Sequence, residues 1–201
     1  GSREDGKRFL TLELSKDEKY PNHEAVDFYH NYKKDIALFG KMNMKALRFS
    51  IAWSRIFPEG EGEPNLEGFY DRVLEELEKY QIQPIITISH YEMPMKLCTE
   101  YGGWRNRKLI ELYEKYAKLL LDRYGKWVRY WITFNEINVL LSGFASYEAG
   151  GLIFTEEDNR EEICMQALHH QLLASAKICN YAHRHYPELK MGCMIAYITK
   201  I

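Results

Sequence analysis

Glu136 closes the apolar run Trp131-Ile132-Thr133-Phe134 and stands between Asn135 and Ile137-Asn138. If that run is a buried parallel strand, Glu136 lies at its C-terminal tip, where α/β folds place their chemistry. A carboxyl leaving an apolar strand among aromatic rings is expected to hold its proton, because desolvation disfavours the charged form. Such a group suits general acid work near neutral pH. Two other apolar stretches carry polar groups: Arg48 lies within Lys45–Ile51, and His90 ends Pro84–Ser89. On adjacent parallel strands these groups converge on one face. Arg, His, Asn and Glu together can hold a polyhydroxylated ligand and protonate a leaving group. Singly, each has a plainer reading, as a salt-bridge arginine, a structural histidine or a glutamate in water. The combination outweighs them.

The elements that must position these residues follow from periodicity. Apolar and aromatic residues recur at three and four from Ala25 to about Met42, an amphipathic helix with Asn22 available as N-cap. Asn65 is placed to cap a second helix to Tyr80. A third spans Asn106 to Tyr124, with Gly125 as its C′ residue. Thr155-x-x-Asp158 resembles a capping box opening a long helix to about His185, which Pro187 closes. Strands are expected near residues 45, 84, 127 and 190, the second nearly continuous in β-branched residues as strands covered on both faces are. Residues 1–21 lack periodicity and read as a loop. Helix and strand alternate four times, which means a parallel sheet with right-handed crossovers. Units of about forty residues fit part of a (β/α)8 barrel of about 250 residues or more. A small doubly wound sheet is the alternative, but no Gly-rich phosphate loop follows a first strand.

Composition narrows the class. Fifteen Tyr, nine Phe and four Trp build cores, and also make platforms for flat apolar faces such as those of sugars. The formal charge is only −2, without the clustered basic excess of a nucleic-acid binder. No stretch reaches the apolar length of a membrane span, and no opening segment reads as a signal peptide. Cys98, Cys164, Cys179 and Cys193 are widely spaced, without metal-ligand or redox pairing. Buried free thiols in a cytoplasmic protein are expected.

Thr133-Phe134-Asn135-Glu136 resembles the acid/base motif of family 1 glycoside hydrolases, retaining β-glycosidases on a (β/α)8 barrel. Other landmarks stand in order: Arg48-Phe49-Ser50-Ile51-Ala52-Trp53-Ser54-Arg55-Ile56-Phe57-Pro58, His90-Tyr91-Glu92-Met93-Pro94 and Tyr101-Gly102-Gly103-Trp104. The resemblance runs from about Pro21 to the C-terminus. His-Tyr-Glu-Met-Pro, Asn-Glu-Ile-Asn, His169-His170 and Gly192-Cys193-Met194 are similar to the bacterial 6-phospho-β-glucosidases. It implies a partial (β/α)8 barrel, about strands two to five, over residues 22–201.

It also implies site roles. Glu136 would be the general acid/base, and Asn135 would bind the sugar 2-hydroxyl. His90 would hold a neighbouring ring hydroxyl, and Arg48 would orient the nucleophilic carboxylate and keep it ionised. Tyr91 replaces the family's usual Trp beside the pocket. No metal or organic cofactor is implied; the ligand would be a phosphorylated β-glucoside. The family's first strand is not recognisable in residues 1–20, and its nucleophile and phosphate-binding loop would lie beyond Ile201. Glu92 and Glu148 follow strand tips and are the weaker alternatives for the nucleophile. The expectation is a 6-phospho-β-glucosidase segment with the acid but not its nucleophile, inactive alone. The alternative is a non-catalytic sugar-binding half-barrel that self-associates through its bare edges or pairs with a missing barrel half.

Overall fold

The computed structural model describes residues 25–142 and 145–197. The loop expected over residues 1–21 and the Asn22 cap lie outside that range. Helix α1 (Phe28–Lys41) precedes β1 (Ala46–Ser50), and the short α2 (Trp53–Ile56) and α3 (Phe69–Lys79) lead to β2 (Gln83–Ser89). The short α4 (Met95–Thr99), a 3-10 turn (Gly103–Arg105) and α5 (Lys108–Tyr124) precede β3 (Tyr130–Phe134). A second 3-10 turn (Ile137–Ser142), the short α6 (Ser146–Gly150) and α7 (Arg160–His185) return the chain to β4 (Lys190–Gly192). The sheet runs β1-β2-β3-β4, every pair parallel. That is the order consecutive right-handed βα units generate, and it agrees with a segment of a (β/α)8 barrel.

The core lies between the sheet and its helices. Helix α5 contributes most to it, because its apolar positions form one continuous stripe. Leu109, Leu120 and Leu121 are fully buried there, each contributing about 1.5–3 kcal/mol of transfer free energy. The same helix also fixes the strand ends. Tyr116 donates its hydroxyl to the carbonyls of Ile51 (2.6 Å) and Ile88 (3.0 Å), and Tyr113 donates to Thr133 O at 2.6 Å. Trp53 stacks on Tyr116, and Phe134 on Tyr113. One helix therefore clasps the C-terminal ends of three strands.

Local starts and stops differ from the sequence reading. The second helix begins three residues later than Asn65 would allow, behind Gly68, whose φ of 76° turns the chain into the helix. The long helix is capped by Asn159, which accepts from the Glu162 N–H, while Asp158 instead ties the loop by accepting from the Thr155 N–H at 2.8 Å. Gly125 stays right-handed at φ −55°, so the third helix ends without a left-handed C′ glycine. Cys98 and Cys164 are buried as expected, but Cys179 is half-buried and Cys193 exposed. Strand β4 ends at Gly192, and Cys193 follows at the edge of the sheet that the described strands form.

Gly103 shows why the Gly102-Gly103 pair is required. Its φ is +66°, and an added Cβ would stand 2.3 Å from the Gly150 carbonyl oxygen and 2.4 Å from that of Gly151. Two loops meet backbone to backbone there. His170, from the His169-His170 pair, is a packing residue. It is buried, with Nδ1 2.8 Å from the Trp104 carbonyl and Nε2 2.8 Å from the Gln166 amide.

Candidate active site

The C-terminal ends of β1, β2 and β3 bring the expected residues together. Arg48 leaves β1 and spreads its guanidinium over the sheet end. Nε donates to Thr87 Oγ1 at 2.9 Å, Nη2 to Asn135 Oδ1 at 2.7 Å, and Nη1 to Met194 Sδ at 3.1 Å. Among the described residues it pairs with no carboxylate. Thr87 is fully buried on β2, so its hydroxyl, absent from the sequence reading, anchors the arginine from below. A hydroxyl set within the isoleucine run Ile85-Ile86-Thr87-Ile88 was the available signal.

Glu136 sits one residue past Asn135, at φ 42°, and Tyr91 sits one past His90 at φ 73°. Both are left-handed, a conformation costing non-glycine residues on the order of 1–3 kcal/mol and typical of functional sites. The two strained residues meet: the Tyr91 hydroxyl donates to Glu136 Oε2 at 2.9 Å. Burial and the facing Glu136 carboxylate push the Tyr91 phenol up to about 12, against a lowering hydrogen bond from Asn135. It therefore stays a proton donor. Glu136 is half-buried, less enclosed than an emerging strand residue would be, because the left-handed turn swings its side chain toward the open sheet end.

The sealed carboxyl is Glu92. Its Oε2 accepts from the His90 N–H at 2.8 Å, and the N–H groups of Glu92 and Trp53 also face it. Oε1 is shut off from solvent without a hydrogen bond. Burial outweighs these donors and raises the carboxyl to about 7. One oxygen of Glu92 is thus held by backbone donors and the other is enclosed by the protein. Glu148 on α6 acts electrostatically on the Tyr91 phenol. His90 is held below the usual histidine range, first by desolvation and then by the Arg48 charge, with Glu136 opposing. It is neutral at neutral pH and can donate to or accept from a hydroxyl.

A parallel sheet thus carries an arginine, a histidine, an asparagine and a glutamate at one end, groups able to hold a polyhydroxylated ligand. The chain belongs to glycosyl hydrolase family 1, whose model matches residues 2–201. It is 55% identical over 180 residues to the aryl-phospho-β-D-glucosidase BglH of Bacillus subtilis (strain 168), covering 88% of this chain and 38% of that protein. It is 49% identical to the 6-phospho-β-glucosidase AscB of Escherichia coli (strain K12), covering 94% and 40%. The crystal structure of a rice Os3BGlu6 β-glucosidase superposes with a TM-score of 0.83 at 29% identity, covering 98% of this chain and 44% of that one. The Thermotoga maritima β-glucosidase bound to castanospermine gives 0.79 at 30% identity, covering 96% and 43%. The chain thus spans about two-fifths of the length of the curated relatives it matches. No helix among the described residues is long and apolar enough to cross a membrane.

Proposed function

We propose that this chain carries the acid/base half of a retaining 6-phospho-β-glucosidase, releasing glucose 6-phosphate and an aglycone or sugar. The observation that carries the reading is Glu136, an accessible carboxyl at the tip of β3 beside Asn135, with Arg48, His90 and Tyr91 around it. Protonated Glu136 gives its proton to the glycosidic oxygen as the bond to the anomeric carbon breaks. Ionised, it then takes a proton from the water that attacks the glycosyl ester. Asn135 and His90 hold ring hydroxyls. Arg48, a cation without a carboxylate partner among the described residues, faces the second carboxylate that retention requires about 5–5.5 Å from the acid. We assign that nucleophile, and the groups that read the 6-phosphate, to the part of the relatives' length this chain does not span. The phosphate preference rests on relatives near 50% identity that are named phospho-β-glucosidases.

The test is a segment swap. The chain replaces the matching segment of the Bacillus subtilis relative, and hydrolysis of an aryl 6-phospho-β-glucoside is measured. The swapped enzyme should turn over, and Glu136→Gln should cost about 10²–10⁴-fold with a poor leaving group. Azide, which needs no base, should restore turnover with an activated aryl substrate. A folded swap whose rate is indifferent to Glu136→Gln would overturn the assignment. A swap that binds the substrate without hydrolysing it would favour a sugar-binding module. Self-association through the edge strands β1 and β4 would show as a concentration-dependent mass of the isolated chain.

A further inference from the structure

Three features at the tip of β2 converge on one purpose. Glu92 places Oε2 2.8 Å from the His90 N–H. Tyr91, between them, holds a left-handed φ of 73° that only its surroundings can enforce. Its hydroxyl ends 2.9 Å from Glu136 Oε2 on the neighbouring strand. Without the clasp, the backbone at Tyr91 would relax toward the ordinary β region, and the phenol would swing away from β3.

We propose that Glu92 is a positioning residue for the acid/base. By clasping the His90 N–H it holds the turn that delivers the Tyr91 hydroxyl to Glu136. This rests on the reading of Glu136 as the acid/base. A phenol donating to a carboxylate stabilises the ionised form. Tyr91 therefore favours Glu136 as base for the attacking water and opposes it as acid for the leaving group. Glu92 sets that balance from a distance, touching neither substrate nor Glu136. The high-lying Tyr91 phenol keeps it a donor across the working range.

The experiment uses the segment-swapped enzyme labelled with 13Cδ-glutamate. The Glu136 carboxyl resonance is identified by its loss in Glu136→Gln and followed through a pH titration. Tyr91→Phe should raise the Glu136 midpoint by roughly 0.4–1 pH unit, the loss of one hydrogen bond to the ionised form. Glu92→Asp draws the acceptor back by one methylene and keeps the charge; it should raise the midpoint in the same direction by less. In Tyr91→Phe/Glu92→Asp the midpoint should equal that of Tyr91→Phe alone, since the second change acts only through the first. A Glu92→Asp shift that persists in the Tyr91→Phe background, or no shift at all, overturns the proposal. Tyr91→Phe leaves the clasp intact and decides independently, because an unmoved midpoint there also overturns it. Hydrolysis is recorded on the same samples. Coupled titrations without turnover sink the proposed function alone, whereas turnover with uncoupled titrations sinks only the role of Glu92.

Discussion

Arg48 Nη2 and Asn135 Oδ1 lie 2.7 Å apart, joining the first strand to the tip of the third across the buried Thr87 hydroxyl. The bond fixes the orientation of the Asn135 amide: its oxygen is taken, and its NH2 is left for Tyr91 or a ligand hydroxyl. A guanidinium can serve Thr87 and Asn135 together because its donors form a rigid fork, which an ammonium lacks. Arg48→Lys in the segment-swapped enzyme should lower kcat/KM by roughly 10²-fold through misplaced groups. The melting temperature should change little. Steady-state kinetics beside a thermal melt checks this.

Glu92 makes stability depend on pH with a definite sign. Its folded value near 7 lies above the ordinary 4.5, so between these the folded state binds more protons than the unfolded state. Stability from this group is full below about 4.5 and is lost as pH rises through about 7. The loss is on the order of 3 kcal/mol. Urea unfolding at pH 5 and pH 8 should show Glu92→Gln lacking this part of the decline, since an amide does not ionise.

Tyr116 satisfies two strand-end carbonyls from one buried hydroxyl. Tyr116→Phe keeps the ring stacked on Trp53 but leaves both carbonyls without that donor. Denaturant midpoints should fall by the equivalent of about 1–3 kcal/mol. A change below about 0.5 kcal/mol would mean that water or a shifted side chain replaces the hydroxyl.

Gly103→Ala should be among the most damaging single substitutions. The new methyl meets backbone oxygens at 2.3 and 2.4 Å, and the position is left-handed as well. Neither loop can yield by rotating a side chain. Loss above about 4 kcal/mol is expected, measured by chemical unfolding or, if extreme, as absence of soluble protein.

The alternation of helix and strand was legible because each half-buried helix repeats at three to four residues and β2 is nearly continuous in apolar residues. The strand tips followed, and with them Arg48, His90, Asn135 and Glu136. Helix starts were misread at Asn65 and Thr155, where capping-type residues serve loops while Gly68 and Asn159 do the turning. Which carboxyl is sealed was also hidden. The apolar approach to Glu136 suggested enclosure there, yet the left-handed turn frees it, and Glu92 is the group that points inward. Hydrophobic pattern encodes which face a strand buries, but carries no record of a backbone sign change at its last residue.

Glu136 is bracketed by a single residue. The Met194 N–H donates to the Phe134 carbonyl and the Met194 carbonyl accepts from the Ile137 N–H, both at 3.0 Å. The kink at Glu136 is thus gripped from both sides by main-chain groups that nineteen of the twenty amino acids supply alike. Sequence change at position 194 leaves that grip in place, and only proline, which has no N–H, releases half of it. The geometry of the site's central carboxyl is in this respect insured against mutation at the very position that holds it.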